Sequence, residues 1–531
     1  MTLTRDRRLM LLDLAVGVSL ANLCLLRVWT EILSLSGPNG YYLKLSPAAP
    51  WAVIANVLLL GALFAGVAIL VRRVEHPRLR AVARWLFLLT LFIPLETLRT
   101  EFHLPRLAEF AFWVVEPAGR PFPLKNLSPL LPLVLFASWP ARSARYARAV
   151  LLFFAPFTLV TVGRGLWLGA TYPIAATFAD RPLAPPLRPP ARSSTSSSIS
   201  PRVIILVFDE LDQRLAFDDR PAGLELPELE RLRGEGGRLY ASQATPPSWQ
   251  TGISLPALIT GQAIETAAPA GAAELRLRRV GAAVGDVRDW SREPNLFGRA
   301  RDLGINAGLV GWYHPYCRVV AAALTRCHWE PYFDVIGQDG RATLGGTMVA
   351  QLRSLSPWDR RRRHVESYRR ILAQATAAAT DAELGLVFVH WPVPHHPYIY
   401  DGARGRLTLH HYSHTGYADQ LRLVDRTVGE LRRALEVADL WERTTIVLTS
   451  DHAARVKDQP DQGIRRDERV PFLLKLGGME SSPGVVYDRA FSTLALGDWV
   501  LAVLRGDVAT VPQAVRWLDQ HAGPQPVLRG R

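Results

Sequence analysis

Between Trp51 and Val71 the chain runs for 21 residues without a charged side chain. No other segment restricts its own fold so tightly. A helix of that length rises about 30 Å, the thickness of a bilayer's hydrocarbon core. In that medium every backbone N–H and C=O has to be paired within the segment, so a lone apolar run crosses as an α-helix. Leu9–Leu26 is a similar run interrupted only by Asp13. Ala81–Leu98, Leu127–Trp139 and Ala149–Leu168 are shorter or punctuated by Arg, Glu or Pro. The expectation is an all-α membrane domain over residues 1–170 with five spans, or four and a re-entrant segment.

Arginines orient this domain. Arg5, Arg7 and Arg8 precede the first run; Arg72, Arg73, Arg78, Arg80 and Arg84 follow the second; Arg142, Arg145 and Arg148 precede the last. Ser34–Pro50 holds one cation, Lys44, and the longer Arg99–Asn126 holds four. Positive charge is retained on the cytoplasmic side, which predicts a cytoplasmic amino terminus and an extracytoplasmic carboxyl domain in a cell (inner) membrane. The first run has no small-residue cleavage site, so no removable signal peptide is expected. These flanks account for much of the formal net charge of +14. With no zinc finger, Gly-rich phosphate loop or basic-aromatic stripe, nucleic acid is not an expected partner; the lipid bilayer is. Residues 171–201 are rich in Pro and Ser and read as a linker.

Residues 202–531 carry a different pattern. Pro201–Phe208, Leu384–Val389 and Thr444–Ser450 are continuous apolar or β-branched runs, as in buried strands of a parallel sheet. Each ends in polar chemistry: Asp209-Glu210, His390 with His395, and Asp451-His452. Helical patterns at Arg361–Ala378 and Tyr417–Ala438 alternate with these runs, predicting a doubly wound α/β sheet with its ligand site at the strands' carboxyl ends. Taken singly, each acid reads as a turn residue or a helix cap. Together, carboxylates and an imidazole make a donor set for one divalent cation, Mn²⁺, Zn²⁺, Mg²⁺ or Ca²⁺.

Thr251 stands where an apolar helix begins, after a predicted strand at Gly237–Gln243. First-turn N–H groups are unpaired and carry partial positive charge, so an anion is welcome beside that hydroxyl. Two roles stay open at this point: Thr251 as an N-cap, or as a nucleophile that a nearby metal ion activates.

Four blocks bear on that choice: Asp209-Glu210 after a strand; Thr251-x-x-Ser254 with Thr260-Gly261; Pro394-His395-x-Pro397-Tyr398; and Ser450-Asp451-His452. In this order they resemble the sulfatase-like branch of the alkaline phosphatase superfamily. The long Tyr417-to-Leu431 pattern and the Arg469-Val-Pro-Phe run resemble it too. The resemblance implies an alkaline-phosphatase-like fold with Asp209, Thr251, Asp451 and His452 as metal ligands, Glu210 a further candidate, Thr251 the nucleophile, and His395 with His390 as substrate contacts. Lys457 is a candidate for the family's downstream lysine. True sulfatases resemble one another in a Cys-or-Ser-x-Pro-x-Arg core; here those positions hold Thr251, Ile253 and Leu255. Oxidising a threonine gives a ketone, which hydrates far less than formylglycine. The departure favours members that use an unmodified threonine, such as lipoteichoic acid synthases and phosphoethanolamine transferases; five spans before a catalytic domain also resemble the layout of lipoteichoic acid synthases. The expected function is hydrolysis or transfer of phosphate esters of lipid headgroups or envelope glycans. The alternatives are a sulfuric ester hydrolase with unmodified Thr251 and a non-catalytic membrane scaffold.

Of three cysteines, Cys24 lies in the first apolar run. Cys317 and Cys327 lie ten apart in the extracytoplasmic part, where an oxidising compartment favours a disulfide over two thiols. A Cys/His metal site with His314 or His328 is the minor alternative.

Overall fold

The structure, a computed structural model, describes residues 5–35, 38–73, 75–101, 134, 136–187, 201–234, 237–283, 285–332, 336, 343–409, 416–455, 467–478 and 484–528. The chain forms two compact units, one of residues 1–36, 44–177 and 335–359, the other of 37–43, 178–334 and 360–531. This differs from a division by sequence alone. Residues 37–43 belong with the carboxyl-terminal unit, and 335–359 with the amino-terminal one.

Among the described residues, three helices of the first unit are long and apolar enough to cross a membrane: Ala49–Arg73, Pro77–Leu98 and Pro140–Thr171. The bent pair Arg5–Cys24 and Leu26–Leu33 makes a fourth if it counts as one span. Four of the five expected runs thus have a helical counterpart; Leu127–Trp139 falls mostly outside the described residues. Asp13, the one charge in the first run, is buried and paired with Arg72 and Arg148. Small residues bring Arg5–Cys24 and Ala49–Arg73 together: a Cβ on Gly17 would stand 2.6 Å from Gly61 O.

The second unit is built on an eight-stranded sheet. Its strands are β1 (Arg202–Asp209), β2 (Arg238–Ala241), β3 (Ala307–Trp312), β4 (Arg326–Glu330), β5 (Leu386–Pro394), β6 (Thr444–Ser450), β7 (Phe472–Lys475) and β8 (Val485–Tyr487). Their order across the sheet is β8-β2-β7-β6-β1-β5-β3-β4. Only β7 runs against its neighbours. β1 is buried on both faces: Val203, Ile205 and Val207 join one apolar cluster, while Ile204, Leu206 and Phe208 join another. That is why the run has no polar alternation, and helices cover both sides as the doubly wound pattern requires. The helices expected at 361–378 and 417–438 are Asp359–Ala379 and Gly416–Val437.

Two expectations are adjusted. β5 continues to Pro394, so His390 lies within the strand and is fully buried rather than starting a loop. The first half of the expected linker is laid onto the sheet unit: Arg181 N donates to Cys317 O at 2.9 Å, Ala184 N to Leu324 O at 2.8 Å, and Leu187 N to Asn306 Oδ1 at 2.8 Å. Pro182, Pro185 and Pro186 lack the N–H a strand partner would want, yet the backbone groups between them remain able to pair.

Cys317 and Cys327 form a disulfide with Cα atoms 5.7 Å apart. It ties the short helix Tyr316–Val319 to β4 and so tethers the turn 313–316 after β3. Replacing both cysteines by serine is expected to cost about 2–4 kcal/mol. Calorimetric melting of the full chain checks this, and an unchanged Tm would mean that the turn is held without the bridge.

Candidate active site

Parallel pairing sets Phe208 opposite Ser450, so the residues that follow, Asp209 and Asp451, leave adjacent strands at the same edge. Val207 pairs with His390 on the other side, and the register shifts after Phe208. The chain then turns sharply. Glu210 adopts φ 66, a left-handed conformation rarely taken by a residue with a long side chain. Its backbone is held on both sides: Glu210 N donates to Asp451 Oδ1 at 3.2 Å, and Tyr417 Oη donates to Glu210 O at 2.7 Å. Tyr417 also accepts from Asp212 N at 3.0 Å, which gives the Tyr417 block of the long helix a physical purpose. In the same helix Asp425 Oδ1 accepts from Glu228 N and Leu229 N, both at 2.9 Å, and so caps Pro227–Gly234.

Thr251 opens the helix Thr251–Thr260, but as its first helical residue; the cap position is Gln250, with no side-chain cap. The hydroxyl points elsewhere. Thr251 Oγ1 donates to Asp209 Oδ2 at 3.2 Å and lies 3.2 Å from His452 Nε2. Its loop is closed by Ser254 Oγ, which donates to Ser248 O at 2.8 Å and accepts from Ser248 N at 3.1 Å. The other hydroxyls there bond to backbone: Ser248 to Leu528 O at 2.8 Å and Thr245 to Phe491 O at 3.2 Å.

Asp209, Asp451 and His452 each offer a ligand atom within 4.8 Å of the others, and all three are buried. Asp209 Oδ1 and Asp451 Oδ2 have no hydrogen-bond partner, an expensive state for buried carboxylate oxygens. His452 Nδ1 donates to Ala453 O at 2.9 Å, which turns Nε2 toward the acids. Burial, and then the charge of Asp451, push the Asp209 carboxyl well above its usual range. A divalent cation answers each of these features, and the donor set fits one.

His390 Nδ1 lies 3.0 Å from Tyr316 Oη and 3.2 Å from Trp312 O. Its Nε2 has no hydrogen-bond partner and stands 3.7 Å from Asp209 Oδ2. Burial lowers its pKa to about 4, so the ring is neutral. The Glu210 carboxylate groups with His395 and His396 rather than with Asp209, Asp451 and His452. His395 Nε2 lies 3.9 Å from Glu210 Oε1, and burial holds this imidazole well below its ordinary range.

Two neighbours take places beside the cluster that the sequence did not assign to them. Arg455 Nη2 donates to His452 Nε2 at 3.1 Å and sets a positive charge against the cluster. His314 Nε2 lies 3.4 Å from Thr251 O, and its Nδ1 lies 3.0 Å from Tyr41 Oη. Of these only Arg455, three residues past His452, stands near a recognised block. Lys457 lies outside the described residues. The minor Cys/His metal site is not assembled: both cysteines are bridged, and His328 Nε2 sits 2.9 Å from Glu330 Oε1.

The family described as type I phosphodiesterase / nucleotide pyrophosphatase matches residues 203–472, from the first residues of β1 to the start of β7. Among solved structures, the chain is similar to the PsFucS1 sulfatase of Pseudoalteromonas sp. at 17% identity over 58% of this chain and 68% of that one, TM-score 0.37. Phosphonate monoester hydrolase of Agrobacterium radiobacter shares 15% identity over 62% and 79%, TM-score 0.39. A protein in the alkaline phosphatase superfamily from Vibrio parahaemolyticus shares 15% over 63% and 72%, TM-score 0.37. No curated protein matches the chain.

The cluster generates its own test. Asp451→Ala and His452→Ala are each expected to lower bound divalent metal by roughly 10-fold or more while the buried strand β6 keeps the fold. Elemental analysis of the purified full chain, beside its circular dichroism, checks this; wild-type metal content in both variants would place the metal elsewhere.

Proposed function

Because the chain belongs to the type I phosphodiesterase / nucleotide pyrophosphatase family, within the alkaline phosphatase superfamily, we propose that this sulfatase-like enzyme acts on phosphate esters with Thr251 as nucleophile. One observation carries the reading: the Thr251 hydroxyl is engaged by Asp209 and His452 at 3.2 Å each instead of by its own helix.

Asp209, Thr251, Asp451 and His452 would hold one divalent ion. When bound, such an ion screens the charge on a phosphoryl group and lowers the pKa of a hydroxyl beside it. The chain's own residues supply the rest. Thr251 Oγ1 forms a bond to phosphorus; the ester oxygen opposite leaves with the bonding pair; Asp209 Oδ2 is the acceptor in place for the threonine proton. N–H groups of the first helical turn face the phosphoryl oxygens of the resulting phosphothreonine. Water then completes a hydrolysis, or an acceptor hydroxyl a transfer.

The long apolar helices support a substrate at the bilayer, a phospholipid headgroup or an envelope glycan, reached from the extracytoplasmic side. The arginine distribution and the disulfide favour that side. A threonine in place of an oxidisable Cys or Ser argues for phosphate over sulfate esters.

Two outcomes are expected. Thr251→Ala should keep its fold yet lose turnover of a model phosphodiester by on the order of 10³-fold, Thr251→Ser should retain part of it, and phosphate trapped on the enzyme should map to the Thr251 peptide. An active Thr251→Ala enzyme, or phosphate on Thr245 or Ser248, would overturn the nucleophile; a sulfate ester turned over in preference would favour the sulfatase reading. For topology, a reporter active only outside the cytoplasm should be active when fused after Ser198 and silent when fused within residues 72–84. The reverse pattern would put the site in the cytoplasm.

A further inference from the structure

Tyr313 follows β3 with φ 73, a conformation that strains any residue with a Cβ and is retained where the surroundings enforce it. Those surroundings are aromatic. The ring meets Tyr42 edge to face with centroids 5.2 Å apart. Tyr332 closes the far side at 5.9 Å. This backbone twist sends the phenol toward the nucleophile: Tyr313 Oη lies 3.6 Å from where a Gly252 Cβ would stand. Gly252 is the second residue of the helix that Thr251 opens, so the hydroxyl hangs beside the first-turn N–H groups.

Tyr42 comes from far away in sequence, in the short 3-10 helix Pro38–Tyr42. That segment is fixed into the same unit by three bonds. Arg318 Nη2 donates to Tyr41 O at 2.9 Å and to Leu43 O at 2.8 Å, and Tyr41 Oη reaches His314 Nδ1 at 3.0 Å. His314 in turn lies against Thr251 O. Tyr42 therefore packs against the ring of Tyr313, while its neighbour Tyr41 bonds to the His314 ring that meets Thr251 O. Both Tyr42 and Tyr313 are partly buried.

We propose that Tyr313, held in its strained conformation by Tyr42, is a substrate-positioning residue that donates its phenolic hydrogen bond to a non-bridging phosphoryl oxygen over Thr251. The inference rests on the reading of Thr251 as the site of phosphoryl transfer. A neutral donor at that place strengthens as charge builds on the oxygen, so its effect belongs mainly to the transition state.

The test uses the full-length, metal-loaded protein. Tyr313→Phe, which keeps the ring and removes the donor, should lower kcat on a model phosphodiester by on the order of 10²-fold with KM changed less than about threefold. Tyr42→Leu, which removes the ring packed against Tyr313, should lower it by about 10-fold; metal content should be unchanged in both, and melting temperature in Tyr313→Phe. Independently of turnover, calorimetric titration with inorganic phosphate should show the Kd rising about 10-fold in Tyr313→Phe. Wild-type kcat and phosphate affinity in Tyr313→Phe, beside an inert Thr251→Ala, would overturn this inference and leave the nucleophile standing. If Thr251→Ala stays active, the functional reading fails and the phosphate titration alone decides whether Tyr313 binds the anion; an unchanged Kd then sinks this inference too.

Discussion

Two carboxylates, Asp209 and Asp451, are carried to one point by the parallel pairing of β1 with β6, and much of the site answers their repulsion. Their nearest ligand atoms lie within 4.8 Å, where two like charges repel by roughly 3–4 kcal/mol even at an effective dielectric of about 20. Desolvation adds to this, since both are fully buried. The fold relieves part of the cost through backbone donors: Glu210 N and His452 N both bond to Asp451 Oδ1. It leaves Asp209 Oδ1 and Asp451 Oδ2 unpaired. A protein that preserves such a pair at two strand ends has placed a demand for positive charge there, which a proton or a metal ion can meet. The raised Asp209 carboxyl is the proton answer; the donor geometry of His452 is the metal answer.

Strain collects around the same point. Two of the three non-glycine residues with positive φ among those described, Glu210 and Tyr313, stand beside the cluster. Each is locked by partners from distant sequence, Tyr417 for Glu210 and Tyr42 for Tyr313. Unusual backbone persists only where it is over-determined, and here the determining contacts are hydrogen bonds and rings rather than apolar bulk.

The sheet was legible where it was buried on both faces. β1 and β6 are continuous β-branched runs with acids at their ends, so strand, direction and edge could all be read from composition. Thr251 was legible through its register to Thr260-Gly261, and Gly261 does take φ 70 as the helix ends. What the sequence hid is long-range. Tyr41 meets His314 across 273 positions, and nothing in the periodicity of 38–43, which sits between apolar runs, marks it as part of the sheet unit. The docked 178–187 segment was hidden for a related reason: its composition is that of a linker, while its partners are backbone groups of residues far along the chain. Pro392 and Pro394 disguised the end of β5, because proline reads as a strand terminator unless its missing N–H faces no partner.

A single geometric fact removes the N-cap role that the sequence leaves open to Thr251. An N-cap residue has non-helical backbone and uses its side-chain oxygen to satisfy an N–H two or three residues on. Here Gln250 has the extended backbone, φ −122 and ψ 125, and Thr251 is already helical. Loop closure, which a capping hydroxyl often performs, is done one turn away by Ser254 bonding to Ser248. Thr251 is thereby relieved of both structural duties, and its oxygen is turned to the acids instead. The first-turn N–H groups are left without a side-chain cap at the very place where an anion would be held. An uncapped helix start beside a hydroxyl directed at buried carboxylates costs stability unless a ligand completes it, and a phosphoryl group supplies the acceptors that the helix start lacks.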